Sequence, residues 1–566
     1  MNPVQQGSLY GRLSSDRTYY LVFACIIAVG LLLRIHQLGD DELWIDEAFT
    51  GFIALTRDWL TYLRIDNTPP LYYLMQRAWC GLVSCNEFGL RLSSALFGVL
   101  FVVLTGVFCR RLYGRKVALA IALIAAVSPI HIYYSQEARV YAVLMTVLLL
   151  FLYLQWRVLR EGATTGRLIL LFCTCLAALF LHYFSLIVIG SCLFIYALEA
   201  ASGSRRVPRG YFLAVIAALV VYIPWLYLSI FSGQATSTEL HWITDYFADK
   251  PVWQLPLRSL STFLTGPQFH YNETNLFLKR YSHAYIPAAL RLANVFFTFL
   301  FLTLYVLILA RGRRLPREQR LLLLETSGFV ILPLLALLAV SLLLTPVYVV
   351  GRYDLIAYPA FLLLAGCMAH ILLQRRQPST AVPYRYAVAV LFALFIGAQA
   401  YKVMAYKHTA PYGSMQPHVA VMLEKVHDGD GLLIATPDAI LVWYYLHAAG
   451  YNRHGDQCMG HGKRFTCRLF PQRLEQAPAS QERYLDLYRT NRPSFNIDYF
   501  LSELSAGSRV VLFLDHVKLA GGKIELDPVG LKLVSGLLQA GYRNEGMSAM
   551  DNLLMFGKDP GGRQIR

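Results

Sequence analysis

Ser128-Pro129-Ile130-His131-Ile132-Tyr133-Tyr134-Ser135-Gln136-Glu137-Ala138-Arg139-Val140-Tyr141 stands between two apolar runs, residues 117–127 and 142–154. An ionisable side chain within hydrocarbon is costly, so the place a charge takes in an apolar chain is informative. Glu137 and Arg139 are too close in sequence to be divided between two spans. They mark a turn at one membrane face, where one span ends and the next begins. A crossing needs about 20 apolar residues for a core about 30 Å thick, and such runs recur through the first two-thirds of the chain.

Working outward from this turn, apolar windows alternate with short basic loops at 110–116, 157–167, 204–209, 311–317 and 375–376. Cytoplasmic loops carry the excess of Lys and Arg. Threaded from a cytoplasmic N-terminus, about eleven spans put all five loops on that side. One missed or invented helix would invert every later loop, so the agreement tests the span number. The Glu137–Arg139 turn and the region after Lys402 then fall outside. The first run, residues 19–38, is too long for a signal peptide and ends in Arg34 and His36 without a small-residue cleavage site, so it reads as an uncleaved anchor.

Composition agrees. Of 566 residues, 56% are hydrophobic and 15% charged, against about 25% charged in a soluble domain. The formal net charge of +16 is spread over short loops, where it sets orientation; nucleic-acid binding would need it gathered on a soluble face.

Two outer loops are long, residues 39–87 and 232–283. In the first, Phe49, Phe52, Ile53, Leu60 and Leu63 recur at helical spacing, with Trp59 beside them. This predicts an interfacial helix that does not cross. Thr68 reads as the N-cap of a second helix over 71–83, with Pro69 and Pro70 in its first turn. From about residue 405 the composition changes. Residues 431–435 and 509–514 read as buried strands, and 439–448 and 531–538 as helices. The expected organisation is a membrane domain over 1–404 and a small α/β domain over 405–566, outside the membrane.

Six cysteines lie in or at the ends of apolar spans. Cys80, Cys85, Cys458 and Cys467 fall outside as two close pairs, where an oxidising compartment allows disulfides. The spacing favours Cys458–Cys467, because Cys80 lies in a predicted helix. No spacing resembles a zinc site.

The span interiors are almost free of charge. Asp40, Asp41, Glu42, Asp46, Glu47, Arg91, Glu137, Arg139, Arg352 and Asp354 instead flank spans on the outer side. Asp40-Asp41-Glu42 also fits a plain solvated face, Glu137 with Arg139 a local ion pair, and Arg352 a snorkelling side chain. Read functionally, Asp46 and Glu47 adjoin an apolar helix, where a carboxylate can take a proton from a hydroxyl. The arginines can bind a phosphate bidentately. A transporter would more often place such groups near the midplane, so the pattern favours chemistry at the outer interface.

Together the clusters resemble the multi-spanning GT-C glycosyltransferases, in the family 39-like branch of protein O-mannosyltransferases and lipid A aminoarabinose transferases. The residues that carry the resemblance are Trp44-Ile45-Asp46-Glu47-Ala48-Phe49, Asn67-Thr68-Pro69-Pro70-Leu71-Tyr72-Tyr73 with the following 87–98, and Ser128 to Tyr141. It implies a mainly α-helical polytopic fold and transfer of a sugar from a polyprenyl-phosphate donor to a lipid, glycan or protein acceptor, with inversion. By the same resemblance Asp46 is the general base, with Glu47 beside it and Glu137 as a second acid. Thr68 stands where the family often has His or Lys, so the donor phosphate is assigned to Arg64, Arg139 and Arg352. Asp66, Asn67, Arg91, Tyr134 and Tyr353 are expected to contact the substrates. A divalent metal is left open, and no nucleic acid is implied. The motif variant points to a bacterial inner membrane with a periplasmic C-terminal domain. A flippase or exporter of lipid-linked glycans, and a glycan ligase or polymerase, are the alternative readings.

Overall fold

The computed structural model describes residues 3–56, 59, 68–231, 251–266, 288–374, 381–405, 415–435, 439–454, 457–470, 500–501, 504, 508–514, 518–520, 523–525, 528–548 and 553–558. Helix α1 (Pro3–Ile35) is followed by two shorter helices, α2 (Ile45–Leu55) and α3 (Leu71–Cys80). Next come α4 (Glu87–Tyr113), α5 (Arg115–Val127) and α6 (Pro129–Ser135), then α7 (Tyr141–Glu161), α8 (Thr165–Leu181), α9 (Ser185–Ala201) and α10 (Arg209–Phe231). The short α11 (Leu255–Thr265) precedes α12 (Ala288–Ala310), α13 (Arg317–Leu343), α14 (Tyr358–Gln374) and α15 (Ala381–Ala405).

Eight helices among the described residues are long and apolar enough to cross a membrane: α1, α4, α7, α10 and α12 to α15. Helices α5 and α6, bent by 57° to each other, make a ninth if the pair is one span. Helices α8 and α9 are apolar and 17 residues long, which at 1.5 Å per residue spans roughly 25 Å. Counting these two as well as the bent pair would give the expected number of about eleven. Four of the basic loops meet at one end of the bundle, and residues 375–376 lie outside the described residues. Arg111 pairs with Glu161 at 3.1 Å, Arg160 with Glu318, and Arg205 with Glu199 and Glu325.

The bend between α5 and α6 falls at Ser128-Pro129, where proline has no N–H to offer the preceding turn. In lipid the carbonyls freed by such a break must find partners. Arg34 supplies them: its guanidinium, fully buried, donates to Ala125 O at 3.1 Å and Ala126 O at 3.0 Å, and reaches His131 Nδ1 at 2.7 Å. The charge that looked like the end of the first span is therefore an internal tie. Gly98 of α4 packs against the same place, where an added Cβ would meet Ser135 Oγ at 2.2 Å.

In the first loop, α2 is present, and its residues 47–54 are all buried. Helix α3 and a helix of the C-terminal region cover it. Leu60 and Leu63 lie outside the described residues. Two local expectations are corrected. Pro70, and not Thr68, sits at the N-cap of α3 without a side-chain cap, and the helix stops at Cys80, short of residue 83. It stops because the chain turns back to form the disulfide Cys80–Cys85, with Cα atoms 4.9 Å apart, inside the usual range. Cys458 and Cys467 are buried on neighbouring strands and form no disulfide. In register Cys458 faces Phe465, which leaves Cys467 two residues along from it.

The C-terminal region has helices α16 (Met415–Lys425), α17 (Ala439–Ala448) and α18 (Pro528–Gln539). Its strands are β1 (Gly431–Ala435), β2 (Asn452–His454), β3 (Gln457–Gly460), β4 (Lys463–Phe470), β5 (Val510–Leu514), β6 (Lys518–Ala520), β7 (Lys523–Glu525), β8 (Tyr542–Ser548) and β9 (Leu553–Lys558). β6 and β7 form a separate pair, and the other described strands form a seven-stranded sheet of order β2-β3-β4-β1-β5-β9-β8. Its centre is parallel: β1 (Gly431–Ala435) lies between β4 (Lys463–Phe470) and β5 (Val510–Leu514). Successive side chains of a strand point to opposite faces, and the packing follows that alternation. Leu432, Ile434, Val511 and Phe513 join the core continuous with the membrane bundle. Leu433, Val510, Leu512 and Leu514 instead pack with Leu533 and Leu537 of α18 in a separate cluster. One face of the sheet is therefore fitted to the rest of the chain.

Candidate active site

Asp46 and Glu47 both stand in the first turn of α2. Adjacent helical residues are rotated by about 100°, so the two carboxylates face different surroundings. Glu47 is 0% exposed. Its carboxylate takes a bidentate pair of bonds from Arg91, Nε at 2.8 Å and Nη2 at 2.7 Å. It also accepts from Ala138 N at 2.8 Å and Trp44 N at 3.3 Å. Arg91 gives its remaining hydrogens to the carbonyls of Leu38, Asp41 and Glu42. The pair thus ties α1's exit, the start of α2, the top of α4 and the Glu137–Arg139 turn into one block.

Asp46 points the other way and is 28% exposed. Its Oδ2 accepts from Arg352 Nη2 at 2.8 Å and lies 3.8 Å from Arg139 Nη2. Arg139 also donates to the Asp46 carbonyl at 3.1 Å and to Tyr73 Oη at 3.4 Å. Arg352 donates through Nε to Tyr141 Oη at 2.7 Å, and the rings of Trp44, Tyr141 and Tyr353 lie 5.5 to 5.9 Å from its guanidinium carbon. Aromatic faces hold a guanidinium in place without neutralising it. His182, at the turn after α8, lies beside Tyr141 and Tyr353. Burial, then Arg352 and Arg139, push its pKa down to about 3, so it stays neutral there and adds no third cation.

Three chain segments more than ninety residues apart in sequence therefore meet at one carboxylate, at the end of the bundle opposite the basic loops. The arrangement offers a partly open carboxylate beside two guanidiniums. It can remove a proton on one side and stabilise a developing oxyanion on the other.

Several expected site residues take other places. Glu47 and Arg91 are enclosed by each other and by backbone, so neither can touch a substrate in this arrangement. Tyr134, expected at the substrate, is buried and donates to Gly351 O at 2.5 Å, which fixes the loop carrying Arg352. Glu137 is buried within the turn, not open to a second substrate. Tyr353 is half-buried at the edge of the site, beside Arg352. Arg64, Asp66 and Asn67 lie outside the described residues. Tyr141, Trp44 and Tyr73 join the site although the sequence offered no signal beyond their presence in the quoted stretches. Among the described residues no group of three His, Cys, Asp or Glu is placed to hold a metal ion, and the partners of Asp46 are guanidiniums.

The fold is that of a polytopic helical membrane protein with a small C-terminal sheet region. Residues 67–228 match the family model described as dolichyl-phosphate-mannose-protein mannosyltransferase. Two solved structures are similar over nearly the whole length. One is ArnT from Cupriavidus metallidurans bound to undecaprenyl phosphate, at 15% identity and TM-score 0.57, covering 96% of this chain and 99% of that one. The other is the same protein in the apo state, at 16% identity and TM-score 0.56, covering 96% and 98%. No curated protein matches the sequence.

Proposed function

We propose that this chain is a glycosyltransferase that moves a sugar from a polyprenyl-phosphate carrier to an acceptor hydroxyl at the periplasmic face of a bacterial inner membrane. The observation that carries the reading is the Asp46 carboxylate held against Arg352 and Arg139 at the end of the bundle. The family model named for a dolichyl-phosphate sugar and the fold likeness to a protein solved with undecaprenyl phosphate support it.

Asp46 takes the proton from the acceptor hydroxyl, whose oxygen attacks the anomeric carbon from the side opposite the phosphate. The bond from that carbon to the phosphate oxygen breaks, its electron pair stays on the phosphate, and the anomeric centre inverts. Arg139 and Arg352 meet the growing phosphate charge, the main feature to stabilise. In doing so they exchange Asp46 for the phosphate, which leaves the carboxylate available as a base. Glu47 and Arg91 act as positioning residues. Glu137 holds the turn that carries Arg139, and Arg64, Asp66 and Asn67 complete the donor and acceptor contacts.

The test supplies radiolabelled polyprenyl-phosphate monosaccharides to membranes containing the protein, with a cell-envelope extract as acceptor. Movement of label to an acceptor is expected. Label that reaches the far leaflet but stays on its carrier would favour a flippase. Transfer from oligosaccharide carriers alone would favour a ligase. Phosphatase fused after residue 405 is expected to be active, and fused after residue 204 inactive.

A further inference from the structure

We infer that the C-terminal domain sets the position of Asp46 by clamping α2 from outside the membrane bundle. The inference rests on the role proposed for Asp46.

Six contacts define the clamp. Glu42, four residues before Asp46, turns its carboxylate onto the first helical residues of the C-terminal region: Met415 N donates to Oε2 at 2.8 Å and Gln416 N to Oε1 at 3.1 Å. These N–H groups have no partner inside α16, and an anion at a helix N-terminus is stabilised by the dipole as well. Tyr445 of α17 accepts from Leu43 N at 3.3 Å, and Tyr444 donates to Cys85 O at 2.9 Å. The ring of Tyr444 lies on Gly51 so closely that an added Cβ would stand 2.6 Å from its Cε2. Glycine inside a helix costs about 1 kcal/mol against alanine, and the ring's approach is the reason it is here. The imidazole of His447 meets the ring of Phe52 at 5.9 Å.

Gly51 and Phe52 lie on the helix whose first turn carries Asp46, roughly 8 Å along its axis at 1.5 Å per residue. The bundle side of α2 is fixed by Arg91 through Glu47, and α17 fixes the opposite side. Arg139 and Arg352 come from the bundle and do not depend on α17. Loosening the clamp therefore moves the base and leaves the phosphate-binding guanidiniums in place. That separation makes a positioning role measurable.

The experiment compares wild type, Tyr444→Ala and Tyr444→Phe in membranes. A misplacement of about 1 Å lowers a rate on the order of 10²-fold, so kcat should fall to that degree in Tyr444→Ala. KM for the polyprenyl-phosphate donor should change by less than about threefold, because ground-state donor binding is untouched. Tyr444→Phe keeps the ring on Gly51 and should recover most of kcat. A second arm needs no sugar transfer. Asp46→Cys is made alone and with Tyr444→Ala, and alkylation by a membrane-impermeant charged maleimide is timed. The double variant should react faster. An unchanged kcat in Tyr444→Ala, or unchanged alkylation, overturns the clamp. Faster alkylation with no transfer by wild type from any donor leaves the clamp standing and removes the catalytic reading of Asp46.

Discussion

Removing either member of the Glu47–Arg91 pair should unfold the first loop from the bundle, and removing both should hurt less than the two losses added. Arg91 makes five hydrogen bonds, two to Glu47 and three to the carbonyls of Leu38, Asp41 and Glu42. Both side chains are essentially without exposure. Arg91→Met strands a buried carboxylate, and Glu47→Leu strands a buried guanidinium. Breaking a buried pair from one side costs about 3–5 kcal/mol, whereas replacing both charges by apolar groups is far less costly. With each single variant near the lower figure, the double should lose about 2 kcal/mol in place of about 6, chiefly for the three carbonyls that Arg91 no longer satisfies, a coupling of roughly 4 kcal/mol. Equilibrium unfolding of the purified protein in mixed micelles, driven by a rising fraction of denaturing detergent, measures all four corners of the cycle. Losses that add to within about 0.5 kcal/mol would refute the claim that Glu47 and Arg91 act as one tie.

Three further outcomes are expected. With denaturant and without reductant, eight of the ten cysteines should take a maleimide label and the remaining two only after reduction; six labelled would mean that Cys458 and Cys467 are also bonded. His182 is held neutral with its pKa near 3 by burial and by Arg352 and Arg139. The unfolded chain gains a proton there below about pH 6.5 and the folded chain does not, so stability should fall by up to about 1.4 kcal/mol per pH unit between pH 6 and 4, a slope reduced in His182→Gln when unfolding is followed against pH. Gly98→Ala drives a methyl into Ser135 and Arg34 and should cost about 1–3 kcal/mol by overpacking, read in the same unfolding assay; no loss would mean that the break between α5 and α6 has slack.

Much of the architecture could be read from charge and periodicity because the bilayer penalises the alternatives. The spans, the basic loops and the turn at Glu137–Arg139 follow from that penalty. β1 and α17 were legible for another reason, as apolar runs of strand and helix length. The roles of adjacent residues were harder to read. Asp46 and Glu47 look alike in sequence, and only the direction of α2's first turn gives one to solvent and the other to Arg91. Arg91 and Tyr134 were expected at the substrate because they sit among the right neighbours, yet backbone carbonyls take them up. Arg34 was legible as a charge at a span end, but its partners at Ala125 and Ala126 lie more than ninety residues away. The docking of α17 on Gly51 has no local signature, since a glycine in a helix does not announce what approaches it.

The central claim is that Asp46 is the base and Arg352 the phosphate ligand, and steady-state transfer in membranes by Asp46→Asn and Arg352→Ala tests it most directly. Asp46→Asn should lower kcat by about 10²–10⁴-fold, the range of a lost general base, with the donor KM nearly unchanged. Arg352→Ala should raise the donor KM as well as lower kcat. Transfer by Asp46→Asn at the wild-type rate would contradict the account.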